Sequence, residues 1–325
     1  MKSGKLNWDD LKSIIDNNKG ARRTEVKVRN GIGEDCAVVD FGDNHCVLST
    51  DPITGSDSNI GKLAVNINCN DIAAAGAEPV GITVTILAPE GTNIHEIKEI
   101  MKEVHEEAEK LNIEIIGGHT EITSAVNKIV LSCTVIGKAK KDKAVSTAGA
   151  KSGDDIIVTK DLAMEGSFII AKEYEKQLEE ILTPEELNIA KDYINNISVL
   201  KEGTLGAELG VNSMHDITEG GLLGAAWEVA TASDKGFIIY EDLLPVSQVT
   251  KKICTYFKID PLKLISSGSM FITAPEGERI IKELELKGIK GTLVGKITDK
   301  EGYILKDGNK IPVEPPQRDE LFKIN

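Results

Sequence analysis

Positive charge is scarce in this chain. Lys and Arg number 38 against 52 Asp and Glu, a formal net charge of -14 over 325 residues. So acidic a surface repels nucleic acid and anionic lipid, and neither is expected as a partner. It also repels nucleotides, unless cations mediate. The five cysteines (Cys36, Cys46, Cys69, Cys133, Cys254) are odd in number and form no C-x-x-C. That argues against a disulfide framework and against structural zinc. They read as reduced core residues of a cytoplasmic protein. No apolar stretch is long enough for a signal peptide or a membrane span. Solenoid-period repeats and low-complexity tracts are also missing.

Several familiar motifs fail on inspection. GSDSNIGK (55–62) approaches a P-loop, but Ser56 stands where the first glycine belongs, and Leu63 replaces the hydroxyl that would hold Mg²⁺. GIGEDC (31–36) lacks the third glycine of a dinucleotide fingerprint, and its acids stand where pyrophosphate would go. There is no G-x-S-x-G elbow. The histidines at 45, 95, 105, 119 and 215 show no ligand spacing. His95 and His105 fall on an exposed helix face, while His119 and His215 read as hydrogen-bonded structural residues.

What is present is globular: 41% hydrophobic residues and enough length for two domains. The pattern predicts a helix over 8–19, strands over 36–41 and 45–50, and a helix over 58–77 in which Ile60, Leu63, Ala64, Ile67 and Ala74 recur at helical spacing. A strand over 79–88, a helix over 93–111 and strands over 113–116 and 129–136 follow. A Lys-, Gly- and small-residue-rich stretch at 140–153 marks the domain boundary, giving domains 1–145 and 146–325. The second half predicts strands at 155–159, 236–240, 269–273 and 290–297. Its helices fall at 166–179, 185–209, about 217–231, 246–257 and 276–287, with a hairpin at Asp307-Gly308. The tail after Pro315-Pro316 reads as short and polar. The fold class is α/β (α+β), with mixed sheets covered by helices.

Acids recur at element ends, often beside glycine. Glu34 and Asp35 follow G-I-G, Asp51 ends a strand, Asp71 interrupts an apolar helix, Glu121 closes the strand–turn IIGGHTE, and Asp216 opens the helix of MHDITEGG. Asn66 and Asn70 share the helix of Asp71, although Asn costs roughly 0.6 kcal/mol there relative to Ala. Each has a plain structural reading. Asp51 can be a turn residue, Asp216 an N-cap, Glu34 and Asp35 a solvated turn, Asn66 and Asn70 solvent-facing, and Lys62 a surface lysine. If the segments converge, however, an oxygen-rich cluster without Cys or His spacing suits Mg²⁺, which bridges phosphate. That would reconcile an acidic protein with an anionic nucleotide.

Five ordered segments carry a resemblance that spans most of the chain. IGKLAVNINCNDIAAAGAEP resembles the central signature of the AIR synthase-related (PurM-like) superfamily. GIGEDCAVV, IIGGHTE, MHDITEGGLLGAAWEVA and ISSGSMFITA are similar to its other motifs. The hydrogenase-maturation HypE branch is the nearest. The resemblance implies a two-domain architecture whose N-terminal domain closes a β-barrel across a homodimer. It also implies ATP held through Mg²⁺. By matching position, Glu34, Asp35, Asp51, Asp71 and Asp216 would serve the metal, and Gly33, Lys62, Asn66, Asn70, Gly117 and Gly118 the nucleotide. The implied activity is ATP-dependent phosphorylation or dehydration of a small amide or carbonyl substrate. The alternatives are a small-metabolite kinase similar to thiamine-monophosphate kinase, and a non-catalytic nucleotide-binding partner in metalloenzyme maturation. Three positions depart from the pattern. His119 stands where relatives carry an acid, Glu219 where HypE-like sequences often carry Arg, and no cysteine follows Cys254 to match the HypE C-terminal cysteine.

Overall fold

The computed structural model describes residues 6, 8–17, 20–54, 59–141, 143–315 and 318–324. The expected helix ends at 18–19 and 58, most of the spacer 55–58 of GSDSNIGK, and Pro316 lie outside the described residues.

The first half runs α1 (Trp8–Asn17), β1 (Val26–Val28), β2 (Ala37–Asp40), β3 (Asn44–Ile53), α2 (Ile60–Ala74), β4 (Glu78–Ala88), α3 (Ile94–Lys110), β5 (Glu114–Ile122) and β6 (Val130–Lys140). Its six strands form one sheet in the order β1-β2-β3-β6-β4-β5. Only β4 and β5 pair in parallel, and α3 is the crossover that parallel pairing requires. Asn93 caps α3 by accepting the His95 N–H.

The second half runs β7 (Asp155–Thr159), α4 (Met164–Glu173), α5 (Glu175–Leu178), α6 (Pro184–Asp192), α7 (Leu200–Leu209), β8 (Ser213–Asp216), α8 (Gly221–Ser233), β9 (Gly236–Tyr240), α9 (Gln248–Phe257), β10 (Met270–Ala274), α10 (Gly277–Leu286), β11 (Gly291–Thr298), β12 (Gly302–Lys306) and β13 (Asn309–Pro312). The seven strands order as β13-β12-β9-β11-β7-β10-β8, with β12 and β9 parallel. The architecture is therefore two mixed sheets with helices, in two domains. In the single chain the first sheet is open, ending at β1 and β5.

The helix α2 lies where the halves meet. Thirteen of its residues are buried, including Asn66, Asn68, Asn70 and Asp71. It packs on β3 and β6, on α3, and on α7 and β8 of the second half. One apolar cluster runs from Cys36 and Ile72 through to Phe168 and Leu321. Of the readings open to Asn66 and Asn70, the solvent-facing one is excluded, since both are inside.

Other expectations change for local reasons. The strand expected at 113–116 continues through Gly117 and Gly118 to Ile122. A Cβ at Gly118 (φ +152°) would stand 2.0 Å from the Val84 carbonyl oxygen, so glycine here serves close strand pairing. Asp51 lies within β3, which extends to Ile53. The helix expected over 185–209 breaks into α6, a 3₁₀ turn (Tyr193–Asn196) and α7. A Thr183–Glu186 capping box and Pro184 start α6, and the Asn-Asn-Ile-Ser-Val run after it favours other conformations. Likewise the helix expected over 166–179 splits into α4 and α5 at Tyr174. The strand β8 escapes the sequence pattern, because four consecutive buried residues show no alternation. In consequence Asp216 ends a strand, and α8 begins only at Gly221. The tail is not simply polar, since Asp319, Glu320 and Leu321 are all buried. No helix among the described residues is long and apolar enough to cross a membrane.

Candidate active site

Three separate segments bring acids together around one imidazole. The G-I-G turn arrives first. Gly33 has φ +79°, and a Cβ there would lie 3.0 Å from the Glu228 carbonyl oxygen, so the turn can seat directly on α8 only as glycine. That seating puts Asp35 Oδ2 3.3 Å from Nδ1 of His215 on β8. Glu228 of α8 approaches the other ring nitrogen, with Oε2 2.9 Å from Nε2. His215 Nδ1 lies 3.8 Å from Asp216 Oδ1, too far for a hydrogen bond.

Burial alone would lower the His215 pKa. Asp35, Asp216 and Glu228 outweigh it and raise the ring well above its ordinary value, so His215 is an imidazolium in this arrangement. Asp71 enters from α2, hydrogen-bonded by the Ser49 hydroxyl of β3. Its pKa is also raised well above the usual carboxylate range, first by burial and then by Asp216, Asp51 and Asp35. The Cys36 thiol beside them is raised by burial, then by Asp71, Asp35, Asp216 and Glu34. Asp35, Asp51 and Asp216 thus form, with Asp71, one electrostatic cluster. Asp51 stands at its exposed side, its backbone N–H held by Asn68 Oδ1 at 2.8 Å.

The donor set fits a hard divalent cation. Asp216 is 1% exposed, and neither of its carboxylate oxygens has a hydrogen-bond partner among the described residues. An ionised, unpartnered buried carboxylate is costly unless a cation meets it. Asp35 and Asp216 offer carboxylate oxygens within 4.8 Å of each other; the His215 ring lies within the same distance of both but, as an imidazolium, is a charged neighbour and not a ligand in this arrangement. Oxygen donors that remain partly open match Mg²⁺, which keeps waters and bridges phosphates.

Other expected residues go elsewhere. Glu34 turns to the inter-domain linker, where its Oε1 accepts from Ser146 Oγ at 2.6 Å and from the Ala148 N–H at 3.3 Å. Asn66 Nδ2 donates to Glu107 of α3 at 2.9 Å and to the Lys62 carbonyl. Five residues along a helix turn by about 140° net, so Asn66 and Asp71 look different ways. Lys62 Nζ reaches Asn195 Oδ1 at 2.5 Å and stands 3.8 Å from Glu107. Asn70 clamps the segment before α7, donating to the Ile197 carbonyl at 2.7 Å and accepting the Val199 N–H at 2.9 Å. Gly117 and Gly118 lie in the exposed strand β5, as do His119 and Glu121, which pair at 3.4 Å.

Sequence reasoning missed His215 and Glu228 as members of the cluster. One signal was available for Glu228: it is the only charged residue in α8, GLLGAAWEVATAS. A lone acid in an otherwise apolar buried helix calls for a partner.

Comparison with known proteins adds the following. The family profile for the AIR synthase related protein N-terminal domain matches residues 33–139, and that for the C-terminal domain matches residues 151–308. A protein of Methanocaldococcus jannaschii, provisionally named for hydrogenase expression/formation, is 29% identical over 96% of this chain and 91% of its own length. Carbamoyl dehydratase HypE of Bradyrhizobium diazoefficiens is 27% identical over 75% of this chain and 71% of its own. Thiamine-monophosphate kinase of Pyrococcus horikoshii is 27% identical over 87% and 88%. Among solved structures, a HypE–HypF complex superimposes with a TM-score of 0.73 at 24% identity, covering 88% of this chain and 94% of the other. HypE in complex with ATP gives 0.70 at 19% identity, over 96% and 99%. At these identities the structural likeness speaks for the fold alone.

Proposed function

This chain belongs to the AIR synthase-related family, and from that premise we propose that it is an ATP- and Mg²⁺-dependent enzyme that phosphorylates or dehydrates a small amide or carbonyl substrate. The observation that carries the proposal is the set Asp35, Asp51, Asp71 and Asp216. Asp216, Asp51 and Asp35 all raise the pKa of Asp71, so carboxylates from four separate segments act on one another, and the Asp216 oxygens have no hydrogen-bond partner among the described residues. In this reading those four aspartates hold the ion, and Gly33 flanks the nucleotide. The ion neutralises phosphate charge when bound. The chain's own part is to hold the acids in register through Gly33, Ser49 and the β8–α8 junction, and to keep His215 charged as their counter-ion. ATP dependence draws support from the relatives named for carbamoyl dehydration and thiamine-phosphate phosphorylation, and from the ATP complex of HypE.

The two domains are assigned to 1–145 and 146–325. The exposed strand β5, with Ile116 and Ile122 half exposed, is the surface proposed to pair with a second copy in a homodimeric barrel. A cytoplasmic location and a maturation partner protein belong to the same reading, the latter supported by the HypE–HypF complex.

Calorimetric titration of Mg·ATP into the wild type and into Asp216→Asn tests the proposal. The wild type is expected to bind in the micromolar range, and the variant at least tenfold more weakly. Equal binding by both, or binding that ignores Mg²⁺, sinks it.

A further inference from the structure

The segment around Asp319 is tied to the turn that follows Asp216. Asp319, Glu320 and Leu321 are all buried. Asp319 caps the 3₁₀ turn Glu320–Lys323 by accepting the Leu321 N–H on Oδ1 at 2.8 Å. Leu321 belongs to the apolar cluster that also holds Phe168 and Leu264. The Glu320 N–H donates to the Lys263 carbonyl and its Oε2 accepts the Asp260 N–H, both at 3.3 Å.

The other oxygen of Asp319 reaches further. Its Oδ2 accepts the Gly220 N–H at 2.7 Å, across 99 residues of chain. Gly220 is the N-cap of α8 and the fourth residue after Asp216. Between them lies the turn that joins β8 to α8, closed by the Gly221 N–H on the Thr218 carbonyl at 3.0 Å. The turn ends in two left-handed glycines, Gly220 at φ +91° and Gly221 at +61°. A Cβ at Gly221 would lie 2.6 Å from the Leu262 carbonyl oxygen, so the turn sits directly on the loop that Glu320 holds. Paired glycines leave the backbone its widest choice, and contacts from outside must fix it.

An aspartate just before a helix ordinarily gives its oxygens to the first helical amides. Asp216 does not. No side chain of the N-cap residue caps α8, and both Asp216 oxygens are buried without a hydrogen-bond partner among the described residues. The negative charge that a helix N-terminus favours comes from Asp319 instead.

We propose that Asp319 is a positioning residue for the ion site: by taking the Gly220 amide it holds the turn and leaves both Asp216 oxygens to the ion. This rests on the reading above in which Asp216 holds Mg²⁺. With Asp319 gone, the buried Gly220 N–H needs another acceptor, because an unpaired buried amide is costly. An Asp216 that turns back to supply one is withdrawn from the cluster. Burial pushes the Asp319 carboxyl up to about 6, against the pull of the Gly220, Leu321 and Ile265 amides. At pH 8 it is ionised and both oxygens accept.

The test titrates Mg²⁺ alone into the full chain at pH 8 by calorimetry, well below melting, with urea unfolding read alongside. Asp319→Ala is expected to lose stability and to bind Mg²⁺ about tenfold or more weakly than the wild type. Asp319→Asn keeps one acceptor oxygen for two amides and binds about threefold or more weakly, and it decides the matter should the alanine variant not fold. Glu320→Ala loosens the same segment at Asp260 and leaves Asp319 in place, so it loses stability but keeps Mg²⁺ affinity within about twofold. Both positions lose one buried carboxylate, so their difference reports the Gly220 contact. Folded Asp319 variants that bind Mg²⁺ as the wild type does overturn the inference, as does a Glu320→Ala protein that loses as much affinity as they do. A wild type that binds no Mg²⁺ removes the ion reading itself, and this inference with it.

Discussion

Asn70 and Asp71 are neighbours on α2, both are buried, and they sit in opposite kinds of surroundings. Asn70 faces the segment 195–199, where polar groups are matched. Its amide takes both the Ile197 carbonyl and the Val199 N–H. From the other side, Lys160 Nζ takes the carbonyls of Ser198 at 2.6 Å and Asn196 at 3.1 Å and pairs with Glu202 at 2.8 Å. Asp71 faces the acid cluster, where groups are mismatched: one hydroxyl, from Ser49, and three more carboxylates. The difference separates architecture from chemistry. A matched network pins the two halves together. A mismatched one costs stability, and a fold retains it where a ligand will complete it.

The largest expected effect breaks the matched side. Lys160→Met leaves Glu202 buried without its cation and frees the backbone carbonyls of Asn196, Ser198 and Gly268. Removing one partner of a buried ion pair costs about 3–5 kcal/mol. Urea unfolding of the variant should show a loss of that size, with Mg·ATP affinity of the folded protein little changed. A variant as stable as the wild type would mean that the segment 195–199 is not held as its contacts indicate.

The mismatched side should respond in the other direction. The folded-state pKa of Asp71 is raised above its unfolded value, so folding favours the protonated form. Its contribution to stability is therefore fully present below the ordinary carboxylate pKa, near 4, and is lost as pH climbs above it. Asp71→Asn removes that loss. The metal-free variant should already exceed the wild type at pH 5 and should lead it at pH 8 by at least as much, by about 1 kcal/mol or more, since each tenfold difference in proton affinity between the folded and unfolded chain is worth about 1.4 kcal/mol. Mg²⁺ should raise the melting temperature of the wild type and leave the variant unmoved. Melting curves across pH 5–8.5, with and without Mg²⁺, check both signs. A variant less stable than the wild type at pH 8 would show that Asp71 is already matched without an ion.

How much of this is legible in the sequence follows the same division. Asp71 stands out because it is an acid where the local pattern wants an apolar residue, whereas Asp35 and Asp216 read as readily as a solvated turn and an N-cap. Their convergence can be expected only through a family resemblance, because the segments lie far apart in the chain. His215 escapes notice because SMHD is too short and too uniformly buried to announce a strand, and a single histidine carries no spacing. The break at 195–199 is half legible: the Asn-Asn-Ile-Ser-Val run weakens a continuous helix, but Asn70 and Lys160, which satisfy the backbone there, are distant in the chain. Gly117 and Gly118 look like a turn, and only the nearness of the Val84 carbonyl explains them as strand. The burial of Asp319 also depends on a distant group, the Gly220 N–H, which donates to its Oδ2 at 2.7 Å.

The smallest expected effect is the sharpest test of where the boundary between the two regions falls, because it sits between adjacent residues. Glu34 and Asp35 look equivalent in GIGEDC. In the structure Glu34 is matched, its Oε1 accepting from Ser146 and Ala148 at the start of the linker, while Asp35 is turned to His215. Glu34→Gln keeps an acceptor oxygen in nearly the same place and loses only the charge assistance, so it should cost no more than about 1 kcal/mol. Its Mg²⁺-dependent rise in melting temperature should equal that of the wild type. Asp35→Asn should abolish that rise. It also removes one of the acids that keep His215 charged, so the ring should lose its proton at a lower pH, visible in the His215 imidazole NMR shifts. Were Glu34→Gln to lose the Mg²⁺ response as fully as Asp35→Asn, the linker contact would be incidental and the ion would draw on both acids of the turn.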